Sequence, residues 1–252
     1  MFSVDDVVGA LMEATVYAGG SVSQIGVASA LDNDGIGALT RFPVAAYSAL
    51  DSAAMSTAAL ILAAGASRRL GRPKQLETWG DTNLLGHVVA LARTFPVDEI
   101  WVVLGYEWER ILAGTDLEDV GVIENPEWEE GIASSIRVGL DALNRLSRCD
   151  QALITVGDQP ESSLEVVEAL IESHARAGMP ATIPKYRYSL GNPVIVDRSL
   201  WPRVMSLEGD EGAQRLWQAH PEWVNEVYFP DAPPRDIDTE EDVVDLKPRH
   251  SA

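Results

Sequence analysis

The chain has 252 residues, 46% of them hydrophobic, so it can bury a large core as one big domain or as one domain with an appendage. Its formal net charge of −20 repels polyanions, which argues against nucleic acid and anionic membranes as partners. No apolar run approaches the ~18 residues of a membrane span, and the first residues lack the positive charge of a secretory signal, so we expect a cytoplasmic protein. The single cysteine, Cys149, excludes an internal disulfide, and the four scattered histidines do not indicate a zinc site.

Residues 1–54 differ in composition from the rest of the chain. They are rich in Ala, Gly, Ser and Val, contain one Arg and no Lys, and hold no constellation that would bind phosphate or metal. Apolar residues at helical spacing predict one short helix between residues 7 and 12. We therefore divide the chain into a poorly defined N-terminal extension of unknown role, residues 1–54, and one domain, residues 55–252.

Beyond Met55, strand patterns alternate with helix patterns. Buried strands are predicted at residues 58–62, 100–104, 120–123 and 152–156. Helices are predicted at residues 83–95, 107–113 and 132–143, and a fourth from a Ser162-x-x-Glu165 capping box to Gly178. The alternation predicts an α/β fold with a doubly wound, mostly parallel sheet. Ligands of such sheets bind outside the carboxyl ends of the strands.

The loop after the first predicted strand is rich in small and basic residues. Gly65, Ser67 and Gly71 let the backbone approach a ligand closely, and successive free N–H groups make an anion nest. Four of the chain's 19 basic residues fall within seven positions here: Arg68, Arg69, Arg72 and Lys74. The spacing is neither G-x-x-x-x-G-K-[ST] nor G-x-G-x-x-G. Nevertheless, the loop has the features needed to wrap a triphosphate.

The run from residue 63 to residue 74 resembles the Ala-Ala-Gly-x-Ser-x-Arg-Met-Gly-x-x-Lys signature of the MobA-like nucleotidyltransferases. Within that family it looks most like the molybdenum cofactor cytidylyltransferases, with Leu70 in the place of the usual Met. The family's fold is a Rossmann-like nucleotidyltransferase fold. The resemblance implies catalytic roles for Lys74 and Arg69, and it implies that a nucleotide is bound by Ala63, Ala64, Gly65, Ser67 and Gly71.

Three further segments are similar to family motifs around the nucleotide and metal. The segment 125–136 is similar to Asn-Pro-x-Trp/Tyr-x-x-Gly-x-x-x-Ser, which implies that Gly131 and Ser135 hold the base or ribose. Residues 157–160 match Gly-Asp-x-Pro, whose aspartate binds Mg²⁺, here Asp158. Residues 236–242 resemble Asp-Ile-Asp-Thr-Pro-Glu-Asp and make Asp238 the second candidate ligand, with Asp236 as the alternative. The Thr239-x-x-Asp242 spacing within this segment also predicts a helix cap.

Two segments resemble motifs on the acceptor side. Residues 191–193 resemble Gly-His-Pro, with Asn192 in the place of histidine, and residues 209–213 look like Gly-Asp-x-Gly-Ala/Met. An Asn side chain can hydrogen-bond a substrate but cannot titrate. The resemblance implies that the second substrate, a molybdenum-bearing pterin, is held by Gly191, Asn192, Gly209 and Asp210. It also implies contact with a molybdoenzyme or its chaperone.

The implied reaction moves CMP from CTP to the phosphate of the pterin and releases pyrophosphate, with Mg²⁺ held by two carboxylates. A phosphomonoester is largely ionised at neutral pH, so no general base is required. Ala64 and Pro73 favour CTP over GTP, because related guanylyltransferases typically have Gly and Asp at these positions.

Two alternative functions stay open. One alternative is a guanylyl- or sugar-phosphate nucleotidyltransferase. Another is an NAD(P)H-dependent oxidoreductase of an aromatic heterocycle with Trp79 or Trp128 as a stacking surface, although no dinucleotide fingerprint is present.

Overall fold

The computed structural model describes residues 39–41, 55–187, 189–209 and 213–247. The predicted helix between residues 7 and 12 and the predicted acceptor residue Asp210 lie outside these residues. None of the helices in the described ranges combines the length and the apolar character needed to cross a membrane.

The described residues form a sheet flanked by helices. The strands are β1 Leu39–Arg41, β2 Thr57–Ala63, β3 Thr78–Trp79, β4 Thr82–Asn83, β5 Glu99–Leu104, β6 Gly121–Glu124, β7 Gln151–Val156, β8 Ala181–Tyr186, β9 Ser189–Leu190, β10 Val194–Asp197 and β11 Val224–Phe229. The helices are α1 Leu84–Ala92, α2 Trp108–Gly114, α3 Ile132–Leu146, α4 Leu164–Ala177, α5 Trp201–Val204, α6 Gln214–Ala219 and α7 Glu240–Leu246.

The main sheet has nine strands in the order β1-β6-β5-β2-β7-β10-β8-β11, with β9 paired to β8. The strands β6, β5, β2 and β7 are mutually parallel, and β11 is parallel to β8. This confirms the predicted α/β class with a doubly wound, mostly parallel sheet. Strand β10 runs antiparallel between β7 and β8, and the sequence pattern does not predict it. The β3–β4 hairpin is a separate two-stranded sheet.

Strand β2 lies at the centre of the fold, with every residue buried. Its residues alternate between two hydrophobic clusters because successive side chains of a strand point to opposite faces. Leu60 and Leu62 pack with Leu140 of α3 on one face. On the other face, Ile61 packs with Leu85 of α1 and with residues of α4. The strand is therefore packed on both faces, and the loop after Ala63 leaves from its buried carboxyl end.

Two predicted helix starts are confirmed and one is wrong by a residue. The side chain of Asn83 accepts a hydrogen bond from Gly86 N at the start of α1, and Thr239 with Asp242 forms a capping box at α7. The cap of α4 is Ser163 instead of Ser162. The Ser162 hydroxyl is occupied elsewhere, because it donates to Gln159 O at 3.1 Å within the turn after β7.

Residues Leu39–Arg41 add a strand to one edge of the sheet. They pair antiparallel with β6, with Leu39 opposite Ile123 and Arg41 opposite Val122. The composition of residues 1–54 does not predict this strand, because an edge pairing is made by backbone groups and requires little side-chain pattern. A part of the extension therefore belongs to the sheet.

Candidate active site

A cleft of about 410 Å³ opens at the carboxyl ends of β2 and β7. This is the edge at which α/β sheets bind their ligands. The predicted site residues that line it are Ala63, Ala64, Gly65, Ser67, Arg69, Lys74, Gly131, Ser135, Asp158 and Asp238. The structure thus brings together residues from four separate parts of the sequence.

The loop after β2 has the geometry of an anion-binding nest. Ser67 adopts a left-handed conformation with φ of 52°, and the N–H groups of Leu70 and Gly71 both donate to Ser67 O at 3.0 Å. Within the described ranges, the N–H groups of Ala66 to Arg68 donate no hydrogen bond. Successive free N–H groups around a left-handed residue form a concavity for anions. Gly71, with φ of 75°, belongs to this turn but does not line the cleft.

Four charged side chains line the cleft and form one network. The Lys74 ammonium donates to Asp158 Oδ2 at 2.6 Å and to Asp238 Oδ1 at 3.0 Å. The Arg69 guanidinium donates to Asp238 Oδ2 at 2.7 Å, with a side chain that is 72% exposed. Lys74 is the better shielded of the two cations, with a side chain that is only 13% exposed. The site therefore holds two carboxylates and two cations joined in one chain of hydrogen bonds, Arg69–Asp238–Lys74–Asp158.

The pKa values of the Lys74–Asp158 pair reflect burial and mutual attraction. Burial lowers the pKa of Lys74, but Asp158 and Asp238 outweigh it and hold that pKa above its usual value. The ammonium is therefore charged at neutral pH. Burial raises the pKa of Asp158, and the adjacent Lys74 opposes this effect. Both directions follow from placing an ion pair in a partly enclosed space.

The segment that carries Asp238 is fixed beside the end of β7. Ile237 N donates to Asp158 O at 3.0 Å, and the Ile237 side chain is fully buried in a cluster with Leu70 and Trp79. With Ile237 buried, its two neighbours have different surroundings. Asp238 lines the cleft, whereas Asp236 accepts a hydrogen bond from Gln159 Nε2 at 2.8 Å and does not line it.

The N-terminus of α3 forms the opposite wall. Gly131, with φ of 105°, occupies a conformation that side chains rarely adopt, immediately before the first residue of the helix. The buried Asn125 amide donates to Ser134 Oγ at 2.8 Å and to Ser135 Oγ at 3.0 Å. Ser135 therefore reaches the cleft with its oxygen already held in place. Asn125 is a supporting residue to which the sequence motifs assign no role.

Among the described residues, the predicted acceptor residues Gly191, Asn192 and Gly209 lie outside the cleft lining. Gly191 packs against the Tyr186 ring, where a Cβ would lie 2.9 Å from ring carbons, and Tyr186 OH donates to Asn192 O at 3.1 Å. Gly209 O accepts a hydrogen bond from Ala133 N at 3.1 Å, which places Gly209 beside the first turn of α3. Gly209 is thus near the cleft wall, and the structure does not bring Gly191 and Asn192 into the lining.

Two further residues line the cleft: Gln75, to which no motif assigns a role, and Trp128, which only the oxidoreductase alternative names. Gln75 lines the cleft although it is only 2% exposed. Trp128 lines it too, next to Gly105, where a Cβ would lie 2.6 Å from the Trp128 Cβ. The prediction that Trp79 could serve as a stacking surface is wrong, because Trp79 is 3% exposed and packs in a hydrophobic cluster with Leu84. The close approach at Gly105 is a packing constraint, which no spacing in the sequence reveals.

The fold and the cleft together define a nucleotidyltransferase. The chain belongs to the family described as the MobA-like NTP transferase domain, which it matches over residues 59–224. The predicted family is therefore confirmed.

Relatives of known structure or curated name support this membership. The chain is 30% identical over 199 residues to nicotine blue oxidoreductase of Paenarthrobacter nicotinovorans, covering 74% of this chain and 94% of the relative. It is 31% identical to the crystal structure of a homologue of Mycobacterium tuberculosis Rv0371c from Mycobacterium sp. strain JC1, with a TM-score of 0.66 and coverage of 75% and 94%. Rv0371c of M. tuberculosis H37Rv, solved in complex with manganese, is 27% identical, with a TM-score of 0.63 and coverage of 77% and 98%.

Proposed function

We propose that this nucleotidyltransferase moves CMP from CTP to the phosphate of a molybdenum-bearing pterin and releases pyrophosphate. The observation that carries the proposal is the meeting of the nest, Lys74 and Arg69 with Asp158 and Asp238 in one cleft. A nucleoside triphosphate and a phosphomonoester together bring several negative charges to the reacting phosphorus. Transfer between them depends mainly on positioning and charge compensation, and this cleft has groups for both.

The carboxylates of the cleft fit a divalent cation. Oδ1 of Asp158 is buried and has no hydrogen-bond partner among the described residues, and Asp238 supplies a second carboxylate nearby. The described ranges hold no cluster of three or more His, Cys, Asp and Glu side chains suited to a metal. Two carboxylates suffice for Mg²⁺, which usually takes its other ligands from phosphates and water. When bound, Mg²⁺ or Mn²⁺ would compensate phosphate charge, and the manganese complex of Rv0371c supports this proposal.

The chain's own groups bind and orient the triphosphate. The free N–H groups of the nest bind phosphate oxygens, and Lys74 and Arg69 compensate the charge of the pyrophosphate leaving group. Ser67 helps to position the backbone of Lys74, because its Oγ accepts a hydrogen bond from Lys74 N at 3.1 Å. To reach the phosphates, the two cations leave Asp238, and Lys74 also leaves Asp158. Gly131 and Ser135 hold the ribose or base on the opposite wall.

The choice of CTP and of the pterin rests on sequence likeness. Ala64 is 5% exposed and its Cβ lies against Gly105, so the methyl group occupies space beside the end of β2. The acceptor assignment rests on the resemblance of the segments at Gly191 and Gly209 to those of molybdenum cofactor cytidylyltransferases. A guanylyl- or sugar-phosphate transferase would use the same charged groups with a different base or acceptor.

A second candidate is an NAD(P)H-dependent oxidoreductase of an aromatic heterocycle. Two observations favour it: the 30% identity to nicotine blue oxidoreductase, and the indole of Trp128 on the cleft wall. The same nest would then bind the pyrophosphate of the dinucleotide. We rank it second because hydride transfer gives no task to the paired carboxylates of Asp158 and Asp238.

One experiment separates the two candidates. The protein is incubated with each of four nucleoside triphosphates, Mg²⁺ or Mn²⁺, and molybdenum cofactor, and pyrophosphate release is measured. A parallel reaction contains NADH or NADPH with an aromatic heterocycle such as nicotine blue. Pyrophosphate release that needs both the metal and the acceptor supports the transferase. Oxidation of the reduced dinucleotide without pyrophosphate release would support the reductase.

A further inference from the structure

Gln75 is a buried polar residue of the cleft to which no motif assigns a role. It follows Lys74 directly, and its carboxamide Nε2 donates to Ala63 O at 2.7 Å and to Gly65 O at 3.0 Å. Both N–H groups of the amide are thus used on carbonyls at the end of β2. A reversed amide would place Oε1 against these two carbonyl oxygens, so the orientation of the side chain is fixed by the contacts themselves.

These two hydrogen bonds determine which way the loop's peptide groups face. In a planar trans peptide, the C=O of one residue and the N–H of the next point to opposite sides of the chain. With Gly65 O held by Gln75, the N–H of Ala66 points away from Gln75. That N–H has no hydrogen-bond partner among the described residues, and Ala66 lines the cleft. It is the first free N–H of the nest, directly before Ser67.

We propose that Gln75 is a positioning residue that presents the N–H groups of the loop to a pyrophosphate or triphosphate. This inference rests on the proposed function in so far as the loop binds the phosphates of a nucleotide. The two bonds from Gln75 resist rotation of the peptide groups at Ala63 and Gly65. Donors oriented in advance cost less to bring to an anion than donors that must first be ordered.

Gln151 is a matched control for the effect of burying an amide. Like Gln75, it is 2% exposed, donates through Nε2 and has an Oε1 without a partner among the described residues. Its partner is Thr57 Oγ1 at 2.7 Å, at the amino ends of β7 and β2. It therefore lies at the end of these strands opposite the cleft. The uncharged changes to Met at Gln75 and Gln151 should disturb the core similarly and differ only in their effect on the nest, whereas a change to Glu also adds a charge, which lies beside the nest only at position 75.

The test measures binding of inorganic pyrophosphate in the presence of Mn²⁺, by calorimetry, to four variants of the full chain. These are Gln75→Glu, Gln75→Met, Gln151→Glu and Gln151→Met. The Gln75 variants should bind pyrophosphate roughly 10- to 100-fold more weakly, the scale of one hydrogen bond to a charged group. The Gln151 variants should have a melting temperature lowered as much as that of the Gln75 variants, and they should bind pyrophosphate with the affinity of the wild type. Equal affinity in the Gln75 variants and the wild type, or equal loss in both pairs, would overturn the proposal.

A measurement on the wild-type protein keeps the proposal testable if the variants do not fold. In NMR spectra, the Gln75 side-chain amide protons should exchange slowly with solvent, and the Ala66 amide should shift strongly on addition of pyrophosphate. Rapid exchange at Gln75, an unmoved Ala66 amide, or no binding of pyrophosphate at all would contradict the role. If these signals appear but no triphosphate turns over, the proposed function fails and the role of Gln75 stands.

Discussion

Lys74 is the residue to which the proposed function assigns the largest share of charge compensation. It contacts both carboxylates, Asp158 and Asp238, and it sits in the chain between the nest and the buried Gln75. In the ligand-free arrangement its charge is compensated by the protein itself. In the proposed reaction, a triphosphate competes with Asp158 and Asp238 for the same ammonium. That competition would link nucleotide binding to release of the carboxylates.

Replacing Lys74 by Ala, or Asp158 by Asn, should lower turnover by ~10²-fold or more, the scale of losing one preorganised electrostatic contact. Both variants should remain folded, because neither side chain belongs to the two large hydrophobic clusters. The measurement is pyrophosphate release, with circular dichroism as the check on folding. Lys185→Ala is the matched control, since Lys185 forms a partly exposed ion pair with Glu226 and does not line the cleft. Near wild-type activity of either site variant would show that the site is wrongly assigned.

The residue before the first loop glycine should influence the choice of base. We expect CTP to be preferred over GTP by about 10²-fold, because one methyl group and one lost polar contact each contribute ~1–3 kcal/mol. Ala64→Gly should reduce the preference for CTP over GTP, since it removes the methyl group that lies against Gly105. The two nucleotides are compared in competition at equal concentration. Equal or greater incorporation of GMP by the wild type would contradict the cytidylyl assignment.

At the scale of elements, hydrogen bonds at the start of α7 hold the segment that carries Asp238. The capping box of α7 starts at Thr239, and Asp238 N donates to Asp242 Oδ2 at 3.1 Å within the same network. Asp238 is thus held by the first turn of the helix that follows it. The acidic residues of this turn also suit a helix N-terminus. The stability of a seven-residue helix and the position of a candidate metal ligand therefore depend on one cap.

Thr239→Ala should destabilise the protein by about 1 kcal/mol, the usual effect of losing a side-chain cap. It should also weaken binding of Mn²⁺ with CTP, because Asp238 loses part of its support. Ser163→Ala removes the cap of α4 and should cost similar stability without affecting metal binding. Denaturant unfolding measures the first effect and Mn²⁺ titration the second. Identical metal affinity in the two variants would contradict the claim that the Thr239 cap supports Asp238 as a metal ligand.

Sequence patterns predict the parts of the molecule that repeat a local rule. The strand at Thr57–Ala63 has a continuous apolar run, and the loop after it has a dense set of small and basic residues. In contrast, the contacts of Gln75 and Gly105 join residues that are separated in the sequence and close in space, and such contacts leave no local signature. Strand β10 is similar, since its antiparallel direction depends on the chain turning back after β9. Ser163 replaces Ser162 as the cap for the same kind of reason, a competing hydrogen bond in the preceding turn.

At the scale of the whole molecule, the cleft and the sheet edge at β1 are well separated in strand order. Strands β6 and β5 lie between β1 and β2, and every described residue of the cleft lining lies beyond Met55. The described part of the extension, Leu39–Arg41, therefore pairs with the sheet without lining the cleft. A strand at this edge covers backbone groups of β6 that would otherwise be open to pairing.

A chain that starts at Met55 should fold and remain active. It should also associate with itself more readily, because the removal of Leu39–Arg41 uncovers the edge of β6. Turnover and the concentration dependence of size-exclusion elution measure the two effects. An inactive or insoluble truncation would show that residues 1–54 shape the site or complete the core.

The most direct test of nucleotidyl transfer follows the α-phosphate of CTP. The protein is mixed with CTP labelled at that phosphate, Mg²⁺ and molybdenum cofactor, and the label on the acceptor is compared with the pyrophosphate released. We predict one labelled CMP on the acceptor for each pyrophosphate, and no label with the Lys74→Ala protein. Absence of label on any acceptor, together with oxidation of NADH or NADPH by the same protein, would contradict nucleotidyl transfer at this cleft.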